Sequence, residues 1–322
     1  DVKETYFGMR DFTIKDTYFY VNDRKIVLRG TVENCVFPLT GYPAMDVESW
    51  ERIFRICRNF GLNHMRFHSY CPPKAAFIAA DLVGFYLQPE GPSWPNHGSS
   101  LGDGRPVDKY LEEEEAKRIV KDYGNHPSFC MFAIGNEPRG RWVPWVSRFV
   151  DYWKSADPRR VYTGASVGNS WAWQPKSQFH VKAGARGLAW DRRPETNSDY
   201  LANIDTVKQP YVAHEMGQWC VFPDFTEIRK YTGVMKARNL ELFQEDLFDR
   251  GMGTLAPDFL RASGKLQALC YKHEIEKMLR TPKYAGFQLL SLNDYPGQGT
   301  ALVGVLNAFW EEKGYITAEE FR

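Results

Sequence analysis

Residues 129–138 read Phe-Cys-Met-Phe-Ala-Ile-Gly-Asn-Glu-Pro, an apolar run too short for a helix that stops abruptly at an amide, a carboxylate and a proline. A continuous apolar run of this length fits a strand buried on both faces, as in a parallel sheet. Its polar pair, Asn136 and Glu137, then sits where the strand ends, which in a β/α barrel is the active-site mouth. Residues 210–217, Pro-Tyr-Val-Ala-His-Glu-Met-Gly, have the same form and close on Glu215. Two carboxylates delivered by two strand ends are what glycosidic-bond cleavage requires.

With 322 residues and 43% hydrophobic content, the chain can bury one large core, and a single α/β barrel fits that length. Charge is nearly balanced, +1 from 41 basic and 40 acidic side chains, so no overall field favours nucleic acid or a membrane surface. No stretch approaches the ~18 uninterrupted apolar residues of a membrane span. No charged-then-apolar leader opens the chain either. A leader trimmed from a longer protein would make a secreted or periplasmic address plausible. The six cysteines lack CxxC spacing and fall mostly in apolar stretches, which predicts buried free thiols.

Taken in order, residues 1–25 alternate apolar and polar side chains around Val21-Asn22-Asp23, a pattern of antiparallel β-structure with turns. Residues 26–30 are the first candidate barrel strand, followed by a helix capped by Asp46 and stopped at Gly61. The second strand, 62–68, places His64, Arg66 and His68 on one face. Strand three, 85–90, ends in Glu90, and its loop over 91–106 is long enough to be functional. Asp108 is expected to cap a third helix that ends at Gly124. Strand four is the opening run, strand five covers 160–165, and a weaker strand six, 177–182, is expected to place His180 near its end. Strand seven delivers His214 and Glu215. A long insertion over 219–264 follows, then a helix over 266–280. Strand eight, 284–292, ends at Asn293-Asp294. Eight strand signals alternating with helices predict a (β/α)₈ TIM barrel over residues 26–322.

The residues also bring a family into view. Phe7-Gly8-Met9-Arg10 and residues 21–30 resemble the passage from an immunoglobulin-like domain into the first barrel strand of glycoside hydrolase family 2. This is the group of β-galactosidases, β-glucuronidases and β-mannosidases. Gly61-Leu62-Asn63-His64-Met65-Arg66, Ile134-Gly135-Asn136-Glu137 and His214-Glu215-Met216-Gly217 are similar to that family's second-strand, acid/base and nucleophile motifs. The resemblance implies a retaining exo-β-glycosidase, β-galactosidase-like, with Glu137 as acid/base, Glu215 as nucleophile, Asn136 on the sugar 2-hydroxyl and Arg66 beside the nucleophile. It implies no cofactor, a carbohydrate substrate, and a longer multidomain chain in which a β-sandwich domain precedes residues 1–25.

Three departures from the pattern concern specificity. His68-Ser69-Tyr70 stands where relatives have Ser-His-Tyr, Met216 replaces a tyrosine, and strand eight lacks its usual tryptophan, so Trp94 or Trp219 is the candidate aromatic wall. The alternatives weighed beside this reading are a metal-dependent barrel hydrolase using the histidines and a sugar-binding barrel without turnover. Against the first, His64 and His68 on one strand stand on the order of 13 Å apart at ~3.3 Å per residue, too far to share one metal. The substrate-binding candidates are therefore Asn136, Arg66, His64, His68, Glu90, Trp94, His180, His214, Trp219, Asn293 and Asp294.

Overall fold

The computed structural model describes Val2 and residues 7–94 and 100–322, so part of the 91–106 loop lies outside the described residues. β1 (Phe12–Lys15), β2 (Tyr18–Val21) and β3 (Arg24–Ile26) form a small antiparallel sheet. The β2–β3 turn is Asn22-Asp23 with both residues at positive φ (49° and 62°), the conformation that matches the twist of a two-residue hairpin.

β4 (Leu28–Glu33), β5 (His64–Phe67), β6 (Tyr86–Gln88), β7 (Glu90–Ser93), β8 (Met131–Gly135), β9 (Val161–Tyr162), β10 (His180–Lys182), β11 (Tyr211–Met216) and β12 (Tyr284–Leu289) follow. They form a curled parallel sheet in the order β10-β11-β12-β4-β5-β6 and a second parallel sheet β7-β8-β9. Parallel bridges Leu87–Phe129 and Val167–Lys182 link the two sheets at either side. The third strand signal is split at Pro89, which has no N–H to give to a ladder.

Helices α1 (Val47–Asn59), α2 (Lys74–Val83), α3 (Pro106–Lys109), α4 (Ala116–Tyr123), α5 (Trp142–Ala156), α6 (Leu201–Ile204), α7 (Arg238–Asp249), α8 (Ala256–Arg280) and α9 (Ala318–Phe321) lie between or after the strands. The α1 N-terminus is capped as expected, the Asp46 carboxylate accepting the Ser49 N–H at 2.7 Å. α5 buries Trp142, Val146, Phe149 and Trp153 against the sheet, with Trp145 beside them. Among the described residues no helix is long and apolar enough to cross a membrane.

Four expectations need correction. The first barrel strand runs over Leu28–Glu33, because Ile26 belongs to β3 of the preceding hairpin. Asp108 does not cap α3 but lies inside it, buried, accepting the Gly102 and Gly104 N–H groups and so pinning the preceding loop. The last large helix opens at Ala256 rather than 266, since Pro257 in its first turn forfeits no hydrogen bond. Among the cysteines, Cys57, Cys130 and Cys270 are buried and all six are free thiols, but Cys220 is exposed.

Two clusters make up the interior. The larger packs the helices onto the outside of the sheet. The smaller joins Phe12 and Phe19 of the N-terminal hairpin to Leu28, Cys130, Met131, Val161, Phe179, Val181, Val212 and Ala285, residues at the starts of the parallel strands. The hairpin therefore closes the floor of the curled sheet. Phe19 meets Phe179 edge-on at 5.7 Å. The Arg10 side chain donates to the Pro127 and Phe129 carbonyls at 3.0 Å each, fastening the hairpin to the entry of β8.

Candidate active site

At the opposite end, the strand termini surround a cavity of about 390 Å³ lined by His68, Ser69, Tyr70, Trp94, Asn136, Glu137 and Glu215. Asn34, Cys35, Pro92, Leu290, Tyr295 and Gln298 complete it. Both glutamates therefore open onto one cavity. Each sits at positive φ, 43° at Glu137 and 53° at Glu215, as do Cys35 (58°) and Ser69 (57°) on the same rim. An L-residue held there costs of order 1–3 kcal/mol, and such strain collects at functional sites.

The local causes are visible. Between Ala213 and Met216 the pairing of β11 with β12 slips, a bulge that turns Glu215 toward the cavity. At the end of β8, a Cβ on Gly135 would stand 1.9 Å from the Ser93 carbonyl oxygen, so only glycine admits this approach. Beyond it the Asn136 N–H donates to Ser93 O (2.8 Å) and the Glu137 N–H to Ser166 O (2.9 Å).

Glu215 is surrounded by donors. Its Oε1 lies 3.1 Å from His214 Nε2, 3.5 Å from an Arg66 guanidinium nitrogen and 3.7 Å from His68 Nε2. Burial acts to raise its pKa, but His214, Arg66 and His68 outweigh it and hold the carboxyl well below the ordinary range. Glu137 is half-buried, and there burial, followed by the charge of Glu215, pushes its pKa up. The two carboxyls are thus driven in opposite directions.

Behind them runs a buried hydrogen-bonded chain. Arg66 donates from Nε to Glu90 Oε1 (2.7 Å) and from a terminal nitrogen to Asn136 Oδ1 (2.8 Å), and His214 Nε2 donates to the same Oδ1 (3.0 Å). Since His214 Nε2 faces two oxygens, its proton belongs on that nitrogen. With Oδ1 of Asn136 accepting twice, its Nδ2 is left as a donor for the cavity that Asn136 lines. Glu90 also accepts the Ser69 N–H (2.9 Å) and the Ser166 hydroxyl (2.7 Å). Burial raises the Glu90 carboxyl, but Arg66 reverses that and its pKa falls below the usual value.

Deeper in, Ser166 Oγ accepts from Gln88 (3.3 Å), whose Oε1 accepts from Gln288 (3.0 Å). The same Gln288 amide nitrogen lies 2.9 Å from His64 Nε2. His64 Nδ1 bonds Tyr86 O (2.9 Å), so it carries the ring proton and Nε2 accepts. Burial depresses the His64 pKa to about 4. These contacts cross from β12 to β6, so they run through the interior of the curled sheet.

The structure brings Arg66, His68, Glu90, Trp94, Asn136, Glu137, His214 and Glu215 into or directly behind the cavity, with His64 deeper in the same chain. It does not bring in the rest of the candidates. His180 opens β10 instead of ending its strand and stacks its edge on Trp173 at 5.0 Å. Trp219 donates its Nε1–H to Glu274 (2.9 Å) and meets Trp190, away from the cavity, whereas Trp94 lines it together with Tyr70 and Tyr295. Asn293 and Asp294 are buried beyond β12, where Asp294 pairs with Lys313 at 2.6 Å.

Reading the sequence missed Glu33. It ends β4, accepts the Cys35 N–H at 3.1 Å to each oxygen, and is bonded by the Tyr70 hydroxyl. The signal was the same apolar strand closing on a carboxylate, hidden because the strand was ended three residues early. Arg186 was not among the candidates either: its guanidinium bonds the His214 and Glu215 carbonyls from the loop after β10.

At 30% identity over 135 residues, the chain is similar to a β-galactosidase of Thermoanaerobacterium thermosulfurigenes, covering 42% of this chain and 18% of that one. A β-glucuronidase of Streptococcus agalactiae is 24% identical over 175 residues, 50% of this chain and 29% of the relative. In fold, the chain superimposes on a family 2 β-galacturonidase from Eisenbergiella tayi with TM-score 0.69 at 13% identity, over 98% of this chain and 55% of that structure. The chain thus spans well under two thirds of the length of these proteins. Residues 12–238 match the model for "Glycosyl hydrolases family 2, TIM barrel domain", and on that match the chain belongs to glycosyl hydrolase family 2.

Proposed function

We propose that this domain cleaves β-glycosides with retention, Glu215 attacking the anomeric carbon and Glu137 serving as acid and then base. The observation that carries the reading is the opposite displacement of two carboxyls on one cavity. Glu215 is held ionised by His214, Arg66 and His68, and Glu137 is pushed toward the protonated form by burial and by the charge of Glu215. Carboxyls separated in this way supply the two roles of a double displacement.

In the first step Glu137 gives its proton to the departing oxygen while Glu215 forms the glycosyl ester. In the second, Glu137 takes a proton from water, which releases the sugar and restores both groups. Asn136 Nδ2 donates to the hydroxyl adjoining the reacting carbon, an interaction that tightens as charge develops there.

The substrate is read as a non-reducing-end neutral sugar, β-galactosidase-like. Neutral hydrogen-bonding groups on the cavity wall (Asn34, Ser69, Tyr70, Gln298) and the similarity to β-galactosidases support this. We further infer that the eight strand positions close into a complete (β/α)₈ barrel, supported by the bridges at both sheet junctions. The same reading divides the chain into a leading β-stretch that ends with β3 at Ile26 and a barrel that opens with β4 at Leu28. It places both in a longer multidomain protein, supported by the greater length of the relatives.

The test is a panel of 2-fluoro aryl β-glycosides followed by peptide mass analysis. A sugar adduct on the peptide bearing Glu215 is expected. An adduct elsewhere, or hydrolysis with inversion, overturns the assignment.

A further inference from the structure

Lys182, the last residue of β10, is 5% exposed, yet among the described residues no carboxylate lies within ion-pair distance of it. Its ammonium meets backbone instead: Gly168 O at 3.1 Å, Asn169 O at 2.8 Å and Trp171 O at 2.5 Å. An ammonium has three donors and no acceptor, so three carbonyls of one loop satisfy it completely. The ring of Trp173 lies 5.2 Å away and adds a cation–π contact. A buried cation without a counter-ion is costly, and here it holds the loop after β9 in one shape.

That loop is what Glu137 rests against. A Cβ on Gly168 would stand 2.8 Å from Glu137 Oε1, so the Gly168 backbone forms the wall on which the carboxyl lies. The indole N–H of Trp171 donates to Pro138 O at 2.8 Å, fixing the residue after Glu137. Ser166, at the root of the loop, accepts the Glu137 N–H at 2.9 Å. Three points of the 166–171 segment thus touch residues 137 and 138, and Lys182 gathers three of that segment's carbonyls.

We propose that Lys182 is a positioning residue for Glu137, acting through the 168–171 loop. The inference rests on the reading of Glu137 as the acid/base. Lys182 does not line the cavity of the two glutamates; it sets the angle at which the Glu137 carboxyl meets the leaving oxygen.

The consequence is selective. Proton donation matters most when the leaving group is a poor one and hardly at all when it departs unaided, so loss of positioning steepens the dependence of rate on leaving-group pKa. A merely structural role lowers all substrates equally.

The experiment measures kcat/KM in the full-length protein for a series of aryl β-glycosides from phenyl to 2,4-dinitrophenyl, in wild type, Lys182→Met, Trp171→Phe and Glu137→Gln. For Lys182→Met the phenyl glycoside is expected to lose about 10-fold or more, part of the ~10²–10⁴ that acid catalysis contributes. The dinitrophenyl glycoside is expected to fall less than about threefold. Trp171→Phe, which keeps a ring and loses the N–H, is expected to show the same divergence more weakly. It carries the test if Lys182→Met does not fold. Uniform losses across the series in the folded variants, with divergence in Glu137→Gln, overturn the role of Lys182 and leave the acid/base reading standing. Uniform behaviour in Glu137→Gln itself overturns that underlying reading.

Discussion

The floor and the mouth of the curled parallel sheet are built from the same strands and are both buried, but by opposite means. β11 contributes Val212 to the floor and Glu215 to the mouth, and the fourth strand signal contributes Cys130 and Met131 to one and Asn136 and Glu137 to the other. At the floor, Phe12 and Phe19 seal the strand starts with apolar contact, the dominant source of folding free energy. At the mouth, Arg66, Glu90, Asn136 and His214 are just as dry but hold one another by hydrogen bonds and ion pairs.

The mouth also keeps under-satisfied polar groups: a terminal nitrogen of Arg66, 3.5 Å from Glu215 Oε1, and His214 Nδ1 are buried with no hydrogen-bond partner among the described residues. Orphans of this kind are rare in ordinary interiors and tolerated where chemistry needs them. The lesson is that stability and positioning are separated along each strand, so substitutions at the two ends should fail in different currencies.

The largest effect expected is at the mouth. Glu215→Gln should lower kcat by about four orders of magnitude, as loss of a nucleophile does elsewhere, with the thermal midpoint little changed. A comparable drop in stability would erase the distinction between the two ends. At the floor, Phe19→Ala removes a fully buried ring and should cost about 3–5 kcal/mol of stability in denaturant titration, with KM and kcat intact below the melting range. A catalytic loss in the folded variant would mean that the ends are coupled. Glu137→Gln should lower kcat/KM on a phenyl glycoside about 10²–10⁴-fold while sparing kcat/KM for an activated aryl substrate, whose first step needs no proton.

The smallest expected effect is on pH. Glu137 must be protonated to donate, and burial with the Glu215 charge raises its pKa, so activity persists below that raised value and falls as pH rises through it. The basic limb of kcat/KM should therefore lie above 4.5, the ordinary value for this carboxyl, and should disappear for activated substrates in Glu137→Gln. Glu215, held low, stays ionised throughout and places its own acid limb far below that limb. A basic limb at or under 4.5 would show that the mouth does not shift its carboxyls as described.

Much of the mouth was legible. Arg66, His68 and His64 share a strand face by simple alternation, and Glu90, Glu137 and Glu215 each end an apolar run, so local periodicity placed them. Glu33 escaped because a hairpin strand ending at Ile26 and a barrel strand starting at Leu28 read as one run, which moved the apparent strand end. His180 misled for the converse reason: strand six spans only three residues, and His180 is the first of them. Asn293 and Asp294 follow an apolar run as Glu137 does, but Asp294 pairs with Lys313, a cation in the C-terminal tail.

What the sequence determined by itself was periodicity: which runs are strands, which residues alternate inward, and which carboxylates stand where runs stop. These are properties of neighbours along the chain. The shifts that make one carboxyl an acid and the other an anion were decided only by tertiary structure. Burial and Coulomb interactions depend on distance through space: besides its chain neighbour His214, Glu215 is held low by Arg66 and His68 from the second strand signal, and Glu137 is raised by burial and by the charge of Glu215 from β11.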